Sequence, residues 1–239
     1  MSELMKTDQL SAMREAPNDA ELAIPLPALC DRYEKLYTGA VNDVLREFCL
    51  PLQALPTGIV PLRDDVAVCG EAFTVRSVAD PTLSGELDTR VGLLDAIRAD
   101  HVVVWNANGE NRASHWGGVM TRASMKRGCR GAIIDGGLRD TRDVLDQGFP
   151  VWYRYRTSTG ALSHTKVTGY QIPIVIEGVI VKPGDIVMAD IDGALVIPRK
   201  IAVAVLERAE GIERNETEIK SWVDAGLTAE QISNRGGYF

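Results

Sequence analysis

Apolar positions along this chain change their period partway through. Between residues 27 and 48 they recur at helical spacing: Leu29, Tyr33, Leu36 and Tyr37 first, then Val41, Val44, Leu45 and Phe48 after a Thr38-Gly39 interruption. Such a stripe lets a helix bury one side, and the interruption divides it into two helices. From about residue 66 the texture turns strand-like. Short runs rich in β-branched residues at 66–70, 72–78, 102–105, 131–135, 151–155, 174–177 and 186–190 predict strands, because branched side chains pack well on a pleated surface. Helical stretches at 89–98, 116–127 and 141–147 fall between some of them, and a long one runs from about 200 to 225. In the stretch 116–127, Trp116, Val119, Met120 and Ala123 share one face, the expected buried side. Helices alternating with strands in the middle, with strands bunched late, predict one mixed α/β layered domain. We place a polar arm at 1–27, the domain at 28–226 and a tail at 227–239.

Composition narrows the partners. A chain of 239 residues can bury one sizeable core. Its net charge of -7 argues against a general nucleic-acid binder while leaving room for a local basic pocket. Cys30, Cys49, Cys69 and Cys129 are scattered, which is neither a zinc ribbon nor a disulfide framework and points to a reducing compartment. The first eighteen residues carry mixed charges without the apolar core of a secretory signal. The longest apolar runs, 172–176 and 179–181, are strand-sized. The expectation is a cytoplasmic protein with no membrane or nucleic-acid partner.

Candidate chemistry concentrates at 131–140, GAIIDGGLRD. A buried strand feeds Asp135, then Gly136 and Gly137, which permit a sharp turn or a close approach of backbone to a ligand. Arg139 and Asp140 follow at the start of a helix. A guanidinium grips a carboxylate through two parallel hydrogen bonds, and an aspartate at such a junction is a hard-oxygen ligand for Mg²⁺ or Mn²⁺. The alternative reading makes Asp140 an N-cap, with Asp143 in the first turn favouring the helix dipole. A second element, residues 114–120 (SHWGGVM), enters a helix through Gly117 and Gly118 and offers N–H groups to an anion; its alternative is a packed core helix with a tight entry. Between Trp105 and Trp116, Asn106, Asn108, Glu110, Asn111 and Arg112 form either a polar pocket lining or a surface loop. His101 and His164 read as uninvolved, and Arg154 and Arg156 as facing solvent or a subunit interface.

The pattern Gly118, twenty residues, Arg139-Asp140, two residues, Asp143 resembles the signature of the RraA-like family. That family holds metal-dependent 4-hydroxy-4-methyl-2-oxoglutarate/4-carboxy-4-hydroxy-2-oxoadipate aldolases, which also decarboxylate oxaloacetate, and the regulator of ribonuclease activity. Further likeness lies at 38–45 (TGAVNDVL), 70–75 (GEAFTV) and 181–198 (VKPGDIVMADIDGALVIP), and covers roughly residues 35–225. The resemblance implies a swivelling β/β/α layered sandwich, here with an N-terminal arm and a long C-terminal helix. It also implies a homotrimer or homohexamer with sites at subunit interfaces.

Carried over by position, Asp140 resembles the metal ligand and Arg139 the clamp on the substrate carboxylate. The N–H groups of Gly117, Gly118, Val119 and Met120 resemble the pocket for the pyruvyl end. Glu216 resembles a glutamate reaching into the neighbouring subunit's site. One position departs. Well-characterised aldolases of the family carry an aspartate where this chain has Gly118, so Asp143, acting through water, and His115, as a proton carrier, are candidates for the missing function. Regulator members lack the aspartate after the arginine, and this chain retains it.

The implied activity is a divalent-metal-dependent carbon–carbon lyase acting on small 2-oxo acids, with oxaloacetate decarboxylation less demanding than retro-aldol cleavage because it needs no base at a C4 hydroxyl. Two alternatives stand beside it: a non-catalytic regulator docking on a ribonuclease or another protein, and a metal-dependent dehydratase or hydrolase of sugar-derived acids on the same scaffold.

Overall fold

The computed structural model of the chain describes residues 20–82 and 86–237, so most of the expected N-terminal arm lies outside the described residues. Two helices open it, α1 (Leu26–Tyr33) and α2 (Thr38–Glu47). Proline sits in the first turn of α1, where a missing N–H costs nothing. α2 has no cap from its own N-cap residue; instead the Thr38 N–H donates to Asp190 Oδ2 at 2.7 Å and the Thr38 hydroxyl to Asp190 Oδ1 at 2.8 Å. A residue 152 positions away thus satisfies a helix-end donor.

The middle of the chain runs β1 (Val60–Pro61), β2 (Val68–Ala79), α3 (Glu86–Ala96), β3 (His101–Asn106), β4 (Ser114–Trp116), α4 (Gly118–Lys126), β5 (Gly131–Leu138), α5 (Thr141–Gln147) and β6 (Val151–Arg156). After it come β7 (Thr165–Tyr170), β8 (Ile174–Ile176), β9 (Val179–Val181), β10 (Ile186–Asp190), β11 (Gly193–Ile197), a 3₁₀ turn, α6 (Ala202–Asp224) and α7 (Ala229–Asn234).

Nine of the strands form one sheet in the order β1-β6-β5-β3-β2-β10-β11, with β4 added to β5 and β7 to β2. The centre, β2-β3-β5-β6, is parallel, and the antiparallel β10–β11 hairpin extends it from β2. Every residue of β3 is buried. Val102 and Val104 face one cluster with Val68, Ile133, Trp152 and Val187, while Val103 and Trp105 face another with Phe73, Leu93, Ile134 and Val144. Burial on both faces explains why β3 reads as an unbroken apolar run rather than an alternating one. A third cluster packs Leu29, Tyr33, Val41 and Val44 against Val205, Leu206 and Ala209 of α6, over Ile186 and Ile197. Each Leu, Ile and Val among them contributes roughly 1.5–3 kcal/mol by leaving water. The mixed α/β architecture, a nearly closed sheet with a long C-terminal helix, agrees with the fold class expected from the resemblance.

Three details differ from the sequence reading. The runs 66–70 and 72–78 form one strand, β2; Gly70 sits within it because a Cβ there would lie 2.6 Å from the Asp100 carbonyl oxygen. Strand β7 was not expected, since its Thr-Lys-Val-Thr-Gly-Tyr sequence carries few apolar positions. The helix expected over 116–127 begins only at Gly118, because Ser114–Trp116 is spent on pairing with β5. Among the described residues, no helix is long and apolar enough to cross a membrane.

Candidate active-site cleft

The site is built where β5 ends. Gly136 and Gly137 do not turn the chain; both remain in the strand. They serve close approach instead. A Cβ on Gly136 would stand 2.5 Å from His115 Nδ1, and one on Gly137 would stand 2.4 Å from the Ala113 carbonyl oxygen and 2.6 Å from the Tyr155 ring. The absence of side chains lets β4 lie alongside β5, with Ser114 opposite Gly137 and Trp116 opposite Leu138. One residue further on, the Arg139 N–H donates to the Trp116 carbonyl at 3.1 Å.

Asp140 follows in the left-handed region, at φ 53° and ψ 32°. It occupies the N-cap position of α5, yet its side chain makes no capping hydrogen bond, so the capping alternative does not hold. Its Oδ2 instead accepts the Gly118 N–H, at 3.2 Å, from the start of α4. Gly117 makes that contact possible, because a Cβ there would lie 2.7 Å from Asp140 Oδ2 and 3.3 Å from Arg139 Cγ. The Gln147 side chain closes the junction by donating to the Gly118 carbonyl at 3.1 Å.

The departure at Gly118 has a structural counterpart. A Cβ on Gly118 would lie 2.0 Å from Asp143 Oδ2, so the Asp143 carboxylate fills the space in which an aspartate side chain would begin. Asp140 and Asp143 thus both contact the Gly118 position.

α4 is oriented differently from the sequence reading. Its buried positions are Gly118, Thr121 and Ser124, with Trp116 Nε1 donating to the Thr121 hydroxyl at 2.9 Å. Val119 is 79% exposed. Small residues let α4 sit close to the sheet, which turns Val119 and Met120 toward a cleft that they line together with His115, Gly117, Arg139 and Asp140. The cleft encloses about 340 Å³ including its mouth. A shallower depression continues it past Thr141 to Arg156, Thr157 and Ser158. Arg139 and Asp140 are each about half exposed, with Arg139 Nε 3.5 Å from Asp140 Oδ2, so both are open to a ligand.

Sequence reasoning missed Arg90. It projects from α3 into the same cleft, with its guanidinium over the Trp105 ring at 5.7 Å. Nothing in the surrounding sequence of α3 marks it, since an arginine on a helix is most often a solvated surface residue.

His115 is not placed as a proton carrier. Its side chain is fully buried, its Nδ1 accepts the Gly137 N–H at 3.3 Å, and its Nε2 lies 3.7 Å from Glu110 Oε2. Burial pushes its pKa down to about 4; the Glu110 carboxylate opposes that shift and the Arg90 charge adds to it. The ring is neutral at neutral pH and braces the two glycines. Glu110 is held in turn by the N–H groups of Arg112 and Ala113. Burial first, and then the Glu110 carboxylate, raise the Tyr155 phenol well above its ordinary value.

Asn106, Asn108, Glu110 and Asn111 line a separate cavity with Asp135 and Arg154. Arg154 is not simply solvent-facing: it pairs with both Asp135 and Glu177. Arg156 Nε donates to the Tyr153 hydroxyl at 2.9 Å.

Glu216 lies on α6, half-buried, 3.6 Å from Lys220 and beside Asp43, Arg46 and Arg208. Within one chain it does not line the cleft of Arg139 and Asp140.

The donor set can be tested against a divalent cation. Among the described residues, no group of three or more His, Cys, Asp or Glu side chains is disposed to hold a metal. Mg²⁺ and Mn²⁺ need less, since one or two carboxylates suffice when waters and substrate oxygens complete the shell. Asp140, with its side chain against Gly117 and open to the cleft, meets the requirement for one carboxylate.

Comparison with known proteins places this geometry in context. Residues 27–196 match the RraA-like family model, described as Aldolase/RraA. A protein of Halalkalibacterium halodurans named "Putative 4-hydroxy-4-methyl-2-oxoglutarate aldolase" is 30% identical over 179 residues, which is 75% of this chain and 80% of that protein. Protein DlpA of Legionella pneumophila is 26% identical over 173 residues, covering 72% of this chain; the chain spans only 28% of that longer relative. A crystal structure described as one of novel cellulases from microbes associated with the gut ecosystem has a TM-score of 0.87 at 48% identity, covering 90% of this chain and 96% of the other.

Proposed function

Given that this chain belongs to the RraA-like family, we propose that it is a divalent-metal-dependent carbon–carbon lyase acting on small 2-oxo acids, with oxaloacetate decarboxylation as its less demanding activity. One observation carries the reading. Asp140 does not cap its own helix but is held at the cleft by the Gly118 N–H, beside a half-exposed Arg139.

In this reading Arg139 grips the substrate carboxylate through two of its N–H groups. The N–H groups of Gly117, Val119 and Met120 lie at the N-terminus of α4, where the helix dipole favours negative charge, while that of Gly118, the fourth group of the expected pocket, already donates to Asp140 Oδ2. Asp140 would hold Mg²⁺ or Mn²⁺ directly and Asp143 would hold it through water. When bound, the ion supplies Lewis-acid polarisation of the keto oxygen. Loss of CO₂ from oxaloacetate breaks a C–C bond without a base. Retro-aldol cleavage needs a group to take the C4 hydroxyl proton; Gly118 offers none, and Asp143 is the nearest carboxylate to that position. Glu216, outside the cleft of its own chain, fits a role in a neighbouring copy, so the assembly we propose is a trimer or hexamer.

Hydrolysis of the kind named for the 48%-identical structure fits less well. Glycoside hydrolysis uses a pair of carboxylates flanking the bond, and among the described residues Asp140 is the one carboxylate lining the cleft.

The test is a panel of 2-oxo acids with Mg²⁺ or Mn²⁺, read by pyruvate formation with and without chelator. Pyruvate release from oxaloacetate that is abolished by chelator is the expected result. Arg139→Ala should lower kcat/KM by roughly 100-fold or more, the scale of losing a charged donor at developing negative charge. An unchanged kcat/KM in that variant refutes the assignment.

A further inference from the structure

The separate cavity beside β5 has no part in the lyase reading. It encloses about 780 Å³ including its mouth, within the roughly 300–1,000 Å³ of small-molecule sites. It lies beyond the carboxyl end of β3, whose last residue, Asn106, pairs with Asp135 of β5. Crevices at the carboxyl ends of parallel strands are the usual ligand positions of α/β sheets. Asn106 is buried and spent on structure. Its Nδ2 donates to the Val175 carbonyl of β8 at 2.8 Å, and its Oδ1 accepts the Asn108 N–H at 2.6 Å. These bonds tie the β8–β9 hairpin and the segment after β3 to the strand end, so the walls are set by the fold itself.

The lining is rich in unused acceptors. Arg154 binds one oxygen of each of two carboxylates, Asp135 Oδ1 and Glu177 Oε1. The second oxygens, Asp135 Oδ2 and Glu177 Oε2, have no donor among the described residues, although the Asp135 side chain is only 11% exposed. A carboxylate oxygen so enclosed calls for a hydrogen-bond donor. Glu110 adds a third carboxylate against the one guanidinium, so the lining disfavours anions. The side-chain amides of Asn108 and Asn111 bond to no protein group among the described residues, and each offers donors and an acceptor. An ammonium ion only donates and would leave the amide N–H groups unmatched, whereas a hydroxyl both donates and accepts.

We propose that this cavity is a second ligand site and takes a neutral polyhydroxylated molecule, a sugar or cyclic polyol. Its hydroxyls donate to Asp135 Oδ2 and Glu177 Oε2 and accept from the amides of Asn108 and Asn111. Val175, more than half exposed, and Tyr155 supply apolar surface for the C–H side of such a ring. Arg154 holds the two carboxylates in place before the ligand arrives, which lowers the ordering cost of binding. The cavity shares no lining residue with the cleft of Arg139 and Asp140, so the site stands independently of the lyase reading.

The experiment titrates the full-length protein with myo-inositol and D-glucose, and with D-glucuronate and spermidine as charged counterparts, by saturation-transfer NMR. It compares the wild type with Asn111→Ala, Glu177→Ala and Arg139→Ala, with circular dichroism confirming that each variant is folded. At least one of the two neutral compounds should bind saturably, and more tightly than D-glucuronate or spermidine. Asn111→Ala should weaken that binding by about 3- to 10-fold and Glu177→Ala by about 10-fold or more, the ranges for losing a neutral and a charged hydrogen bond. Arg139→Ala, in the cleft, should leave it unchanged. Absence of saturable binding by both neutral compounds, tighter binding of D-glucuronate or spermidine, unchanged affinity in both cavity variants, or loss of binding in Arg139→Ala would each overturn the site. None of these outcomes touches pyruvate release from oxaloacetate, which tests the lyase reading by itself.

Discussion

His115 makes the fold sensitive to acid in a calculable way. In the folded chain its imidazole is fully buried and its pKa falls to about 4, from an ordinary value of 6.5. Between those two values the unfolded chain binds a proton that the folded chain refuses. Stability therefore rises with pH across this window, is fully present above about pH 6.5, and is lost as pH falls toward 4. The full difference amounts to about 3 kcal/mol, and roughly 2 kcal/mol of it should already be lost at pH 5 relative to pH 7.5. Other groups titrate nearby, so the measurement needs a reference. Urea unfolding of the wild type and of His115→Gln at both pH values provides one, because the substituted side chain has no proton to gain. The wild type should lose about 2 kcal/mol more than the variant between pH 7.5 and pH 5. A difference below about 0.5 kcal/mol would show that the cavity around Glu110 and Arg90 readily accepts an imidazolium, and the burial argument would fail.

Three further outcomes follow from the same geometry. Gly137→Ala should destabilise the fold by about 3 kcal/mol, seen as a lower urea midpoint with an unchanged slope, because the added Cβ meets the Ala113 carbonyl oxygen at 2.4 Å and overpacking of this kind is poorly relieved. Asp140→Asn should leave the melting temperature nearly unchanged, since asparagine tolerates the left-handed region, while weakening Mn²⁺ binding in calorimetry at least about 10-fold. Thr38→Val should cost roughly 1–2 kcal/mol, because the Asp190 carboxylate loses the buried hydroxyl donor at 2.8 Å.

The sequence carried the outline of the fold well where burial is strong and one-directional. The two opening helices and the long C-terminal helix follow from apolar spacing and the central strands from their β-branched runs, while the parallel pairing of those strands is seen only in the structure. The sequence failed where polar contacts set the geometry. β4 consists of Ser114, His115 and Trp116, all buried, and only the strand beside it explains why a serine and a histidine lie inside. The burial of α4 through Thr121 and Ser124, with Val119 outside, inverts the apolar pattern because the helix approaches the sheet too closely for larger residues. At the site, Arg139 and Asp140 stood out as a charged pair after two glycines at a strand end, but the roles proposed for them came from the family resemblance and not from that pattern. Arg90 did not stand out, because its proximity to them depends on how α3 folds back over Trp105, a long-range arrangement without a local signature. Glu216 shows the opposite limit: helix position placed it on α6, but within its own chain it does not line the cleft of Arg139 and Asp140.

The left-handed backbone at Asp140 sets stability against utility at a single residue. Glycine would adopt φ 53° with less conformational penalty than any residue bearing a Cβ, so under the proposed function relaxing the junction and keeping a carboxylate there are incompatible demands. Selection for thermal robustness alone would then drift toward a hardier chain without the proposed ligand, and screens for stabilised variants should hold position 140 constant.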